Sequence, residues 1–157
     1  GRAHFAQVRR LYDSLRAQGY VGTDLCLAFV SEFLRIKTES SIFAHEGRHA
    51  IDQAFFPWRS HLWSAAETEF RAKLSEVAFA PDPKFALVGI LSDRNVAGRS
   101  AHSIANLRMK KILLNWMEQH SREIQGLDRS RPLLPQLDLM TNEHIVQACR
   151  EADSMAQ

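Results

Sequence analysis

The chain has 157 residues, of which 45% are hydrophobic and 24% are charged, and its formal net charge is only +2. This composition is typical of one soluble globular domain with a single core. The basic residues are scattered and no apolar run is long enough to cross a bilayer, so we expect neither a nucleic-acid partner nor a membrane partner.

The hydrophobic periodicity predicts a mainly α fold, a single helical domain over residues 1–157. The predicted helices, in chain order, cover about 3–18, 24–36, 41–55, 60–80, 83–92, 102–121 and 142–155. Ser40 or Ser41 is the expected N-cap of the third helix, and Pro57 separates the third helix from the fourth. Residues 92–103 are predicted to be a loop, and residues 126–140 an extended segment laid over the core. No segment alternates strongly enough to predict a strand.

Cysteine usage gives no sign of a disulfide framework or of a cysteine-rich zinc site. The chain has two cysteines, Cys26 and Cys149, and the usual burial of cysteine favours two buried free thiols over one disulfide. The chain opens on Gly1 without a methionine, so we interpret it as a processed form or a piece of a longer protein. The cellular compartment and the oligomeric state are not predicted.

Residues 45–49 read His-Glu-Gly-Arg-His, which is the H-E-x-x-H motif of zinc hydrolases. Positions four apart lie on one face of a helix, so His45 and His49 can present two imidazole nitrogens to one metal ion. Glu46 is then placed to act as a general base toward a zinc-bound water. Zn²⁺ is the expected cofactor, although the same ligand types also suit iron, cobalt, nickel or manganese.

A catalytic zinc site needs a third protein ligand and an open position. Glu67 faces a polar side of the fourth predicted helix and is interpreted as a surface residue paired with Arg71. Glu69 lies on a face rich in alanines, where a buried carboxylate needs a cation. We therefore predict Glu69 as the third ligand and Glu76 as the second choice. A salt bridge from Glu69 to Lys73 is the non-metal alternative.

The arrangement of His45, Glu46 and His49, followed after nineteen intervening residues by Glu69, resembles the gluzincin zinc peptidases, the thermolysin-like group. The resemblance implies that the two histidines and Glu69 bind zinc and that Glu46 is the general base. It covers about 25 residues and departs from the family elsewhere. The family has an aspartate four residues after the ligand glutamate, where this chain has Lys73, and it has a β-rich portion before the motif.

Further residues are candidates for supporting roles around the predicted metal. Asp52 or Glu76 is expected to orient His49 by accepting its second N–H. His102 is predicted to stabilise the oxyanion, with Arg94 and Arg99 beside it to hold substrate. His61 is a possible substitute ligand.

Together these residues predict a zinc-dependent hydrolase, most simply a peptidase acting on a peptide or protein substrate. Two alternatives stay open at this point. One is a non-catalytic helical binding or regulatory module with a structural or degenerate metal site, closed by His61 or Glu76. The other keeps the zinc but hydrolyses an ester or a small amide, because the motif specifies an activated water more firmly than a peptide bond.

Overall fold

A computed structural model describes residues 2–92 and 100–155. The chain is mainly α, as the periodicity predicts, and no strand occurs in these two ranges. The α-helices are α1 (Arg2–Ala17), α2 (Gly22–Lys37), α3 (Gly47–Phe55), α4 (Pro57–Ser60), α5 (Ala65–Ala78), α6 (Pro83–Leu91), α7 (Ala101–Gln119) and α8 (Asn142–Met155). A 3-10 helix spans Leu134–Leu139.

The motif lies on one long helix rather than on a separate short one. Between α2 and α3 the backbone continues as a π-helix, Thr38–Glu46, and both junctions keep right-handed helical angles. The predicted cap at Ser40 or Ser41 is therefore wrong. The Ser40 hydroxyl instead donates to the carbonyl oxygen of Ile36, 2.7 Å away, inside the helix, the usual bond of a serine in a helix interior.

Helix α5 is the centre of the core. It packs against α7, α8 and the π-helix, and Phe70, Leu74 and Val77 on it are completely or almost completely buried. Met109 and Leu113 of α7 meet them from one side. Because α5 carries both apolar core residues and Glu69, the core fixes the position of any site built on this helix.

Two other predicted segments differ from the structure. Residues 60–80 do not form one helix: α4 ends at Ser60, a turn follows, and Ser64 caps α5 by accepting the N–H of Glu67. The segment 126–140 is not extended throughout, since it contains the 3-10 helix. The predicted loop at 92–103 falls largely on residues 93–99, which lie outside the described ranges, and Ser100 caps α7.

The two cysteines are free thiols, as expected, but only Cys149 is buried while Cys26 is exposed. Burial raises the pKa of the Cys149 thiol to about 12, so this residue behaves as a small apolar core side chain. None of the helices in the described ranges combines the length and apolar character needed to span a membrane.

Candidate metal centre

His45 and His49 lie close together where the π-helix passes into α3. Their rings meet edge to face with centroids 5.1 Å apart. The residue His45 is buried, while His49 is partly exposed. The two imidazoles therefore form a pair with a buried inner side and an outer side that solvent can reach.

Glu69 completes a cluster of three candidate ligands. Its Oε2 lies 3.5 Å from His45 Nε2, and its Oε1 lies 3.6 Å from His49 Nε2. One ligating atom from each of His45, His49 and Glu69 lies within 4.8 Å of the others. The long helix and α5 thus bring together the three residues that the sequence predicts as ligands. The alternative, an ion pair between Glu69 and Lys73, does not form in the described ranges.

One oxygen of this cluster has no hydrogen-bond donor. Glu69 Oε2 is buried, and no residue in the described ranges hydrogen-bonds to it. His102 Nδ1 lies 2.8 Å away, but the contact lacks the alignment of a hydrogen bond. A buried carboxylate oxygen without a donor is destabilising unless a cation lies beside it.

Glu76 supports the cluster from the next two turns of α5. Its Oε2 lies 2.9 Å from His45 Nδ1, where the carboxylate can accept an Nδ1–H, and the other ring nitrogen, Nε2, lies on the side of Glu69, 3.5 Å from its Oε2. This is how a carboxylate usually fixes the tautomer and ring orientation of a metal-binding histidine. The sequence predicts that Glu76 orients His49, but the histidine that Glu76 contacts is His45.

Asp52 is not an orienter of His49, contrary to one of the two predictions. It is only 1% exposed and accepts hydrogen bonds from Arg48 at 2.8 Å and from Arg71 at 3.0 Å. Burial alone would raise the pKa of Asp52, but the bonds from Arg71 and Arg48 outweigh it and hold that pKa below its ordinary value. Arg71, which the sequence pairs with Glu67, binds Asp52, and Glu67 forms an ion pair with Arg108.

Arg48 is the second of the two unspecified residues in the H-E-x-x-H motif. It connects Asp52 to residues of α5 and α8. Its guanidinium makes two hydrogen bonds to Asp153 of α8, at 2.9 and 3.1 Å, and a third to Ser75 of α5 at 3.2 Å. The spacing of Arg48 and Asp52, four residues on one helix, is a signal that sequence reasoning could have used. Nothing in the local sequence indicates Ser75 or Asp153 as their partners.

The remaining predicted site residues fall in different places. Glu46 is exposed and is the last residue of the π-helix, directly after His45. His102 is in the first turn of α7, and its side chain is 60% exposed. His61 is exposed in the turn after α4 and does not belong to the cluster of ligating atoms. Arg94 and Arg99 lie outside the described residues.

A groove of about 510 Å³ lies on another side of the motif helix. Its walls include apolar Phe43, Ile51 and Phe56, and its base includes Arg48 and Asp52. None of the three candidate ligands lines it, so the groove is separate from the cluster. We assign the candidate centre from its donor atoms and not from the position of this groove.

No protein-family model, no curated protein and no solved structure matches the chain. The resemblance to gluzincins therefore stays a prediction from the sequence, and the structure shows only that His45, His49 and Glu69 lie near one another.

Proposed function

We propose that the chain is a zinc-dependent hydrolase, and that it acts on peptide bonds in the manner of the gluzincin peptidases. One observation carries the proposal: His45, His49 and Glu69 converge to within 4.8 Å, and the buried Glu69 Oε2 in that cluster has no hydrogen-bond donor among residues 2–92 and 100–155. A metal ion would supply the positive charge that this oxygen needs.

The donor set fits zinc. Two imidazole nitrogens and one carboxylate oxygen are a ligand set of catalytic zinc sites, which keep a fourth position open. When bound, zinc would acidify a water molecule and polarise a substrate carbonyl. Glu76, 2.9 Å from His45 Nδ1, would accept the Nδ1–H and leave Nε2 for the metal, which is the supporting role that a carboxylate has in such sites.

Glu46 and His102 are the residues that we assign to proton transfer and charge stabilisation. Glu46 takes a proton from the attacking water and delivers it to the leaving nitrogen; its exposed position beside His45 leaves it open to solvent and substrate. His102, exposed and 2.8 Å from Glu69, donates to the carbonyl oxygen as negative charge develops there.

A second candidate function follows from the same contact of His102. If His102 joined the other three residues as a fourth protein ligand, the site would be closed, as structural zinc sites are. The chain would then be a non-catalytic helical module. The two residues that the sequence predicts as closing ligands, Glu76 and His61, are less suitable. Glu76 already contacts His45, and His61 is exposed in a turn and does not belong to the group of ligating atoms.

Metal content is the first test. We expect about one zinc per chain by elemental analysis of the wild type, and loss of it in His49→Ala and in Glu69→Ala. His61→Ala is the matched control and should keep the metal. A folded wild-type chain that takes up no stoichiometric metal, even after incubation with zinc, contradicts both candidate functions.

Replacement of Glu46 by Gln then separates the two candidates. Under the hydrolase proposal, Glu46→Gln keeps zinc and lowers the cleavage of a quenched fluorescent peptide library by about 10²- to 10⁴-fold, the usual contribution of a general base. The exposed Glu123→Gln is the control and should leave cleavage unchanged. A zinc-loaded wild type that cleaves no member of the library, with zinc lost in His102→Ala, supports the closed structural site instead.

A further inference from the structure

The Glu69 carboxylate lies about as far from the two histidines as one zinc ligand lies from another. Two ligands at about 2.0–2.1 Å from a tetrahedral zinc ion are roughly 3.4 Å from each other. Glu69 Oε2 is 3.5 Å from His45 Nε2, and Glu69 Oε1 is 3.6 Å from His49 Nε2. Contacts between the chain's own residues must therefore set the distance between α5 and the motif helix, the long helix that carries both histidines.

Two flanks of α5 make polar contacts with the motif helix. The first flank carries Glu69 and Glu76, which are seven residues apart, and the second carries Arg71 and Ser75, which are four apart. Ala72 is completely buried and lies between the two flanks by helical spacing. Because its side chain is small, the motif helix can approach α5 closely here while it is bonded on both sides.

The contact on the second flank is a buried ion pair with two hydrogen bonds. Asp52 of α3 accepts the Nε–H of Arg71 at 3.0 Å and an Nη2–H of Arg71 at 3.2 Å, and both side chains are almost completely buried. The guanidinium also lies over the ring of Trp63, 4.1 Å from its centroid. A planar pair with two parallel bonds fixes the distance and the orientation of the two groups that it joins.

We propose that Asp52 and Arg71 are positioning residues of the candidate metal centre, because their ion pair sets the distance between His49 and Glu69. Asp52 is three residues after His49, and Arg71 is two residues after Glu69, so the pair lies within one turn of a candidate ligand on each helix. The two residues act through the backbones of α3 and α5. This inference depends on the proposed function, since it concerns the residues that would bind zinc.

The first experiment measures the zinc affinity of the full chain by competition with a chelating dye. We expect Asp52→Asn to weaken zinc binding by about 10- to 100-fold, the usual effect of changing a residue that supports metal ligands. Ile145→Ala is the matched control: it removes a buried core side chain of α8 and so also destabilises the fold, but it leaves the ion pair in place. Affinities are compared per folded molecule, with the folded fraction measured by circular dichroism. Equal weakening by both variants, or an unchanged affinity in Asp52→Asn, overturns the proposal.

A milder variant, Arg71→Lys, decides the question if Asp52→Asn does not fold. Lysine keeps a positive charge beside Asp52 but cannot make the planar pair of bonds. We therefore expect a folded chain whose zinc affinity is lower by up to about tenfold. A folded Arg71→Lys chain with the affinity of the wild type overturns the positioning role.

Cobalt gives a second measurement that a loss of stability alone would not change. Cobalt accepts the same ligand types as zinc, and a tetrahedral cobalt site absorbs strongly in the visible range. At saturating cobalt we expect this absorption to be weaker in Asp52→Asn and in Arg71→Lys, because Glu69 no longer lies at the right distance from His49. Ile145→Ala should keep the spectrum of the wild type, and the same spectrum in all four chains contradicts the proposal.

The zinc affinity of the wild type separates this inference from the proposed function. A folded wild type that takes up no zinc contradicts the proposed function and this inference with it. A wild type that binds zinc, with the same affinity in Asp52→Asn and Arg71→Lys, overturns only the positioning role and leaves the proposed metal centre in place.

Discussion

At the scale of single residues, Asp52 accepts hydrogen bonds from two guanidinium groups, those of Arg48 and Arg71. Arg71 is 2% exposed, and Asp52 is 1% exposed. Removing one member of a buried ion pair leaves the charge of its partner uncompensated. This lowers the free energy of unfolding far more than the loss of a surface ion pair does. Asp52 does not orient a histidine; instead it joins α3 to α5 through its ion pair with Arg71.

We expect Asp52→Asn to lower the free energy of unfolding by about 3–5 kcal/mol, the usual cost of breaking a buried pair. Because the folded-state pKa of Asp52 lies below its ordinary value of 3.8, its stabilisation is complete above that value and is lost as the pH falls through the folded pKa. Urea unfolding between pH 7 and pH 2 measures both effects. Asp13→Asn, which removes only an exposed pair with Arg9, is the control, and a similar loss in both variants would contradict this role.

At the scale of elements, the long helix from α2 through the π-helix to α3 is the feature that sequence reasoning missed. The bounds predicted for α1, α7 and α8 are confirmed to within two residues at each end, because the apolar periodicity of these helices is clear. A π-helix uses the same residue types as an α-helix and differs only in which carbonyl each N–H reaches. Composition and period therefore predict two helices with a cap at Ser40 or Ser41, where the structure has one continuous helix.

Helix α8 is tied to α3 mainly through Arg48 and Asp153, whose two hydrogen bonds are charge-assisted. We expect Asp153→Asn to lower the free energy of unfolding by about 1–2 kcal/mol, since Arg48 keeps its bond to Asp52 and Asp153 is partly exposed. Chemical denaturation measures the loss. Asp128→Asn, which changes an exposed loop residue, is the control, and an unchanged midpoint in Asp153→Asn would show that apolar packing alone holds α8.

At the scale of the whole molecule, the candidate ligands could be predicted because helical spacing decides which side chains share a face. His45 and His49 are four apart, and Glu69 and Glu76 are seven apart, so each pair lies on one side of its helix. The partners of Asp52 and Arg48 on other helices could not be predicted, because these partners lie on α5 and α8 and are brought to the motif helix by tertiary packing. Spacing along one helix carries no information about which neighbouring helix will lie against it.

The metal proposal has a consequence for the stability of the whole fold. His45 and His49 lie on the long helix and Glu69 on α5, so an ion bound by all three would join two elements that the unfolded chain does not hold together. A ligand that binds only the folded state stabilises it by about 2.7 kcal/mol at a hundredfold excess over its dissociation constant. For a chain of this size that corresponds to a rise in the unfolding midpoint of roughly 5–10 °C.

We therefore expect zinc to raise the thermal midpoint of the wild type and of Glu46→Gln equally, since Glu46 is not a ligand in the proposal. The rise should be absent in His49→Ala and in Glu69→Ala, and a chelator should reverse it in the wild type. Differential scanning calorimetry with and without zinc gives all of these values. Equal stabilisation of Glu69→Ala and the wild type would remove Glu69 from the ligand set, because a metal that does not contact α5 cannot join it to the motif helix.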